Sequence, residues 1–281
     1  MRHGTLKVLL PVAITMALPA AAVGQEREAA QVMTEREAAT VLLNDRDSPD
    51  VWHAIGLAVE LGSRAGRELR TAVIEAGWAE VRREADARAG LGPVGETDVD
   101  LLFMLFEAAE ALRDPQAIPL MIEALKNGGG VYDGLADLGA AAFPAVLAAV
   151  NDPGGHPYRV SGGLTVLRFM IEDGSLNAPG LEQVREATRE RLSGTQGLLV
   201  VNAAVRLALA LGDPELRRTV ERLATDRAFV AALVPPYWDN GTPRKPEHLD
   251  WRLDSVQENA RLFLSGGGAD IGPNRRRTPP R

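Results

Sequence analysis

Two stretches, AIPLMIEALKN (117–127) and AFPAVLAAVND (142–152), place alanine, an apolar residue, proline and an apolar run in the same order. A helix written twice at short spacing points to stacked helical hairpins, because a lone hairpin cannot bury its apolar face and each copy must cover the next. The first stretch completes the clearest hairpin. Residues 99–112 are apolar on most sides, with Glu107 and Glu110 as a narrow polar stripe. Asp114 is placed to cap the second helix, and Pro115 follows in an early position where its missing N–H costs nothing. Ile118, Met121, Ile122 and Leu125 then recur at helical spacing, and Asn127 and Gly128 end the unit. The proline shared by the two stretches, Pro119 and Pro144, is expected to bend or tighten the start of each second helix.

Working outward, VYDGLADLG (131–139) supplies the first helix of the second copy. In 198–226, Asp213-Pro214 repeats Asp114-Pro115, and Asn202 and Arg206 interrupt an otherwise apolar helix. Weaker copies lie at 49–81, through Trp52, Ile55, Leu69, Val73 and Ile74, and at 158–192, through Leu164, Leu167, Ile171, Leu181, Val184 and Leu192. A leading helix from about Ala29 to Leu43, within a segment 25–48, is expected to cap the first hairpin. After Asp226 a short helical turn and a proline-rich loop lead to a helix from about Pro246 to Leu264, a second cap within 227–265.

The Leu-Gly-Asp-Pro and Ala-Ile-Pro-x-x-Ile-x-Ala-Leu patterns, with paired helices between them, resemble HEAT-like repeats of the short bacterial, PBS-lyase type over residues 49–226. That resemblance implies an all-α fold, a right-handed α-α superhelix of about five hairpins with capping helices. Its second helices would line a concave surface that holds another macromolecule. Periodicity alone supports the stacked helical pairs.

Composition agrees with helices: hydrophobic residues make up 46% and aromatic residues 5% of the 281, and alanine, leucine and valine dominate. The first 24 residues read as a secretory signal peptide, with Arg2 and Lys7, an apolar run from Val8 to Leu18, and Ala22-Val23-Gly24 before the expected cleavage. An uncleaved anchor is disfavoured, since Pro11 and Pro19 interrupt a run shorter than the roughly 20 residues a span needs. The expectation is a periplasmic or secreted protein with no integral membrane segment after cleavage. Cysteine is absent, which excludes disulfides, thiolate metal sites and a cysteine nucleophile. A formal charge of −7 argues against nucleic acid as partner. The end, 266–281, is locally basic through Arg275, Arg276, Arg277 and Arg281, and reads as a solvated, disordered tail or a docking tail.

Chemistry is sparse. His53, His156 and His248 are isolated, with no paired metal spacing and none of the His-Glu pairs by which some HEAT-repeat enzymes hold two irons. DGSLNAPGLEQV (173–184) lacks the glycine and glutamate of a calcium loop and reads as an inter-helix loop. Neither GGG run continues into a phosphate loop, and no G-x-S-x-G elbow exists. Asp98 with Asp100, and Glu107 with Glu110, read as caps and solvated stripes, and VREATRERL (184–192) as a solvated helix face with glutamate-arginine pairs. Asn240 lies in a sequon that an Asn-Gly turn explains equally.

The segment PPYWDNGTPRKPEHLDW (235–251) gathers Tyr237, Trp238, His248 and Trp251 outside the repeats. These are the candidate partner-binding residues, as aromatic anchors or as a seal on the last repeat. The functional expectation is a non-catalytic scaffold or adaptor whose partner is another protein or peptide, with no cofactor and no metal. The alternatives are a lyase-type enzyme or accessory, for which Glu107, Glu110 and His248 would be tested first, and a structural component of an envelope assembly.

Overall fold

The computed structural model describes residues 33–91, 98–127, 130–236 and 243–267, and all regular structure among them is helical. The thirteen α-helices of the described residues are α1 (Glu35–Asn44), α2 (Val51–Leu61), α3 (Arg67–Arg88), α4 (Val99–Leu112), α5 (Ile118–Ala124), α6 (Tyr132–Asp137), α7 (Phe143–Asn151), α8 (Pro157–Glu172), α9 (Ala178–Arg191), α10 (Leu198–Leu211), α11 (Pro214–Thr225), α12 (Arg227–Leu233) and α13 (Pro246–Leu264). None is long and apolar enough to cross a membrane. The expected leader (1–24), Tyr237, Trp238, Asn240 and residues 268–281 of the basic end lie outside the described residues.

The helices follow one another in the order expected for five hairpins, α2/α3, α4/α5, α6/α7, α8/α9 and α10/α11. Successive first helices pack on one another, α2 on α4, α4 on α6, α6 on α8 and α8 on α10, with α13 on α10 and α11. Among second helices, α3 touches α5, α5 touches α7 and α7 touches α9. Like ends meet. Among first helices, Gly62 after α2 lies against the Ala111 carbonyl near the end of α4, and Arg113 after α4 pairs with Asp137 at the end of α6 at 2.8 Å. Among second helices, Gly180 in the first turn of α9 lies against Phe143 at the start of α7. Neighbouring first helices therefore run parallel, as do neighbouring second helices. The turns within hairpins share one edge, here called the hairpin edge, and the connections between hairpins share the opposite, linking edge.

Each hairpin-edge turn holds one residue with positive φ: Gly62, Arg113, Gly139, Gly174 and Gly212. Three turns then cap the next helix with a side chain: Asp114 accepts from the Gln116 N–H at 2.8 Å, Asn177 from Gly180 at 2.9 Å, and Asp213 from Glu215 at 2.9 Å and Leu216 at 3.0 Å. Pro119 and Pro144 fall within the first two positions of α5 and α7, and a 3-10 turn precedes each helix. They tighten the entry without kinking the helix, since no intrahelical hydrogen bond is lost there. Residues 173–177 form an inter-helix turn, as expected, and Pro179 sits early in α9 as Pro119 does in α5.

A contiguous apolar core runs through the hairpins, from Ala38 and Leu42 to Val256 and Ala260. The central helix α8 is buried from Gly162 to Met170, and a Cβ on Gly163 would sit 2.7 Å from Val150 Cγ2, so α8 and α7 approach closely there. The leading helix starts later than expected. Thr34 accepts from the Glu37 N–H at 3.3 Å, and the Glu37 carboxylate receives the Thr34 N–H at 2.8 Å, so this capping box sets the boundary at Glu35. That pairing holds the Glu37 carboxyl below its ordinary range.

Candidate interaction surface

Helix ends at several contacts are satisfied by side chains from neighbouring helices. The Glu110 carboxylate, expected as part of a solvated stripe, is half-buried and receives the Gly134 N–H of α6 at 2.9 Å. Arg191, expected on a solvated face, is 6% exposed and donates Nε to the Val150 carbonyl at the end of α7 at 3.0 Å. The carbonyls left over at the end of α7 outweigh water as its partner. The rest of that face behaves as expected, with Arg185 on Glu182 at 2.8 Å and Arg189 on Glu186 at 2.5 Å.

Two charged clusters lie deeper. Glu80 of α3 is 1% exposed, and receives Arg46 Nε at 2.6 Å and Nη2 at 3.2 Å, with Arg83 also paired to it. The hydrogen bonds to Glu80 hold the Arg46 guanidinium above its ordinary value. Between α8 and α10, Arg168 pairs with Glu172 at 2.9 Å, and Arg206 lies over the Phe263 ring of α13 at 5.5 Å. Burial, then the nearby charge of Arg168, pushes Arg206 down to about 10, so it stays charged at neutral pH. The Asn202 Oδ1 beside it is buried with no hydrogen-bond partner among the described residues.

The large exposed hydrophobics are distributed unevenly. Trp52 is the second residue of α2, Val99 the first of α4, with Phe103 one turn on, and Tyr158 and Leu199 are the second residues of α8 and α10. Leu43 lies in the last turn of α1, and Leu91 follows α3. Trp251 lies in the second turn of α13, whose first half adjoins the start of α12 through Arg227, paired with Asp250 at 2.6 Å and with Asp254. Every one of these belongs to the linking edge. The only other large exposed hydrophobic of the described residues, Leu262, is in the last turn of α13, and no hairpin-edge turn carries one. Surface hydrophobics scattered singly need no explanation, but their restriction to one edge makes that edge the candidate interaction surface.

His248 and Trp251 are both exposed on α13, Trp251 by 60%. They join a row that extends to α2, which the sequence reading did not see, because it took Trp52 only as part of a helix. His156 stacks on Tyr158 at 5.7 Å, and His53 lies 3.8 Å from Asp50. Glu107 and Glu110 on α4 and His248 on α13 are not brought together, since α4 and α13 are not packing neighbours. Among the described residues no three potential metal ligands cluster. Comparison with family models, curated proteins and solved structures finds no match to this chain.

Proposed function

We propose that this chain is an exported, non-catalytic scaffold of HEAT-like type, a right-handed α-solenoid that holds a protein or peptide partner along its linking edge. The observation that carries this reading is the one-sided row from Trp52 to Trp251. Five hairpins with repeated turn chemistry are a costly way to make an enzyme pocket but a direct way to present the same edge several times. Aromatic side chains there offer large contact area at low entropy cost. Export to a periplasmic or extracellular space follows from the leader proposed at 1–24, and the candidate anchors Tyr237 and Trp238 fall in sequence between α12 and α13.

The test is chemical crosslinking of the tagged chain in its native compartment, followed by identification of what co-purifies. A defined partner is expected from the wild type and reduced capture from Trp52→Ala/Phe103→Ala and from Tyr237→Ala/Trp238→Ala. Saturable turnover by the purified, metal-free protein, with no partner captured, would overturn the reading.

A further inference from the structure

We propose that the end of the linking edge formed by α1, α2 and α4 holds a basic, apolar-anchored peptide segment of the partner protein, with Trp52 at its centre. The proposal rests on the scaffold reading above and adds the chemistry of what is bound. A cavity of about 280 Å³ opens beside the Trp52 ring, between Pro49, Leu101, Asp47, Asp98 and Arg46. That volume is at the low end for small-molecule sites and suits one or two side chains of a peptide.

The charges decide which side chains. Asp45, Asp47 and Asp50 are exposed on the connection into α2, and Asp98 and Asp100 are exposed at the start of α4, the two segments that meet at the cavity. Asp47 is 90% exposed, and one oxygen of Asp98 accepts the Leu101 N–H at 3.0 Å. Among the described residues Arg46 is the cation lining this cavity, Arg82 and Arg83 line the second cavity beside it, and the exposed His53 lies 3.8 Å from Asp50. Arg46 gives Nε and Nη2 to the buried Glu80 carboxylate and Nη1 to Asp47 at 3.2 Å, and Arg83 is turned onto Glu80, so Arg46 offsets part of the charge of Asp47 and is outnumbered by the remaining aspartates. The aspartates therefore set the sign of the rim, and an anionic partner such as nucleic acid or an acidic lipid surface is repelled. A lysine or arginine of a partner gains twice, from the aspartates and from the face of Trp52, which attracts cations more strongly than other aromatic rings. Trp52, Val99 and Phe103, exposed by 42%, 52% and 39%, supply the apolar anchor points between the acids.

The experiment titrates the full chain with two fluorescent hexapeptides, one alternating leucine and arginine and one alternating leucine and glutamate, and reads anisotropy. The arginine peptide is expected to bind saturably and the glutamate peptide not to bind. Raising salt from about 50 to about 500 mM should weaken binding roughly tenfold or more, as screening shortens. Trp52→Ala and, separately, Asp47→Asn/Asp98→Asn/Asp100→Asn should each weaken it about tenfold. Asparagine caps a helix as aspartate does, so the second variant keeps α4 intact. Trp251→Ala, at the far end of the edge, should leave binding unchanged.

Equal binding of both peptides, or equal weakening by Trp251→Ala, would overturn the proposal. Failure of both peptides with a partner still captured by crosslinking would defeat the basic-peptide assignment and leave the scaffold standing. Failure of both peptides and of capture would defeat both readings. Self-association lost on removal of 268–281 would put the chain's own Arg275, Arg276 and Arg277 in the site instead of a partner's.

Discussion

The two edges of the hairpin stack are built to opposite rules. At the hairpin edge every turn reverses the chain through one positive-φ residue, and three of the five then cap the next helix with an aspartate or asparagine, with no large apolar group left in solvent. At the linking edge the connections are irregular, the helix starts carry exposed tryptophan, phenylalanine, tyrosine and leucine, and cavities open between the helices. Repetition in a fold needs only one edge to be regular. The other is free to vary, and that is the edge to which recognition is proposed to belong.

This contrast can be broken from either side. The largest effect is expected beneath the linking edge, where Glu80 lies under a cavity of about 300 Å³ lined by Arg46, Arg83, Leu42 and Leu105. Glu80→Ala removes the charge-assisted hydrogen bonds from Arg46 and Arg83 and leaves a gap beneath them, and urea unfolding should show a loss of about 2–3 kcal/mol. A loss within about 0.5 kcal/mol would mean that the cluster is solvated and the edge is not built on it.

Next come the hairpin turns. Gly212 holds φ 64°, and Gly212→Ala should reduce stability by about 1–2 kcal/mol in the same assay, since a side chain is strained in the left-handed region. The equivalent position in the α4/α5 turn is Arg113, at φ 50°, the one positive-φ residue of the described chain that is not glycine. Arg113→Gly should relieve that strain and raise stability by roughly 0.5–1 kcal/mol, less what the exposed ion pair to Asp137 contributes. If the two substitutions shift stability in the same direction, the turns are not equivalent and the repeat is looser than its geometry.

Smaller effects are expected at the exposed row. Phe103→Ala and Leu199→Ala should each change stability by under about 1 kcal/mol, because surface positions away from buried networks are tolerant. The pH dependence concerns three carboxylates held below their ordinary range, Asp213 and Asp226 mainly by backbone N–H groups they cap, and Glu37 by Thr34. A lowered folded value means that their contribution is present above the ordinary carboxylate range and is lost as pH falls through the folded values. Thermal melts should therefore be flat from about pH 5 to 8 and decline below about pH 4. A decline centred well above that range would mean that these carboxylates do not govern the acid limb.

Much of the hairpin edge was legible in the sequence, and little of the linking edge was. Local chemistry explains the first half of that statement. Asp114-Pro115 and Asp213-Pro214 announce caps on their own, and the apolar run of α4 predicts its bounds to the residue, 99–112. Thr34 and Glu37 carried an equally local signal, a capping box, which a reading centred on apolar periodicity passes over. The rest depended on neighbours. Trp52 follows Val51 and precedes Ile55, both fully or nearly buried, and only the placement of α4 beside α2 decides that the tryptophan faces out. Arg191 and Glu110 looked solvated because their partners, the Val150 carbonyl and the Gly134 N–H, lie 41 and 24 positions away. Of the four residues singled out as partner anchors, His248 and Trp251 do reach the surface, on the same edge as the row that begins at Trp52.

The most direct measurement places a photo-crosslinking side chain at Phe103 or Leu199 on the linking edge, and at Ser63 or Ser175 on the hairpin edge, in the chain expressed in its native compartment. Adducts with one partner from 103 and 199, and none from 63 and 175, are the predicted result. Adducts from the hairpin edge alone would contradict the assignment of recognition to the exposed row.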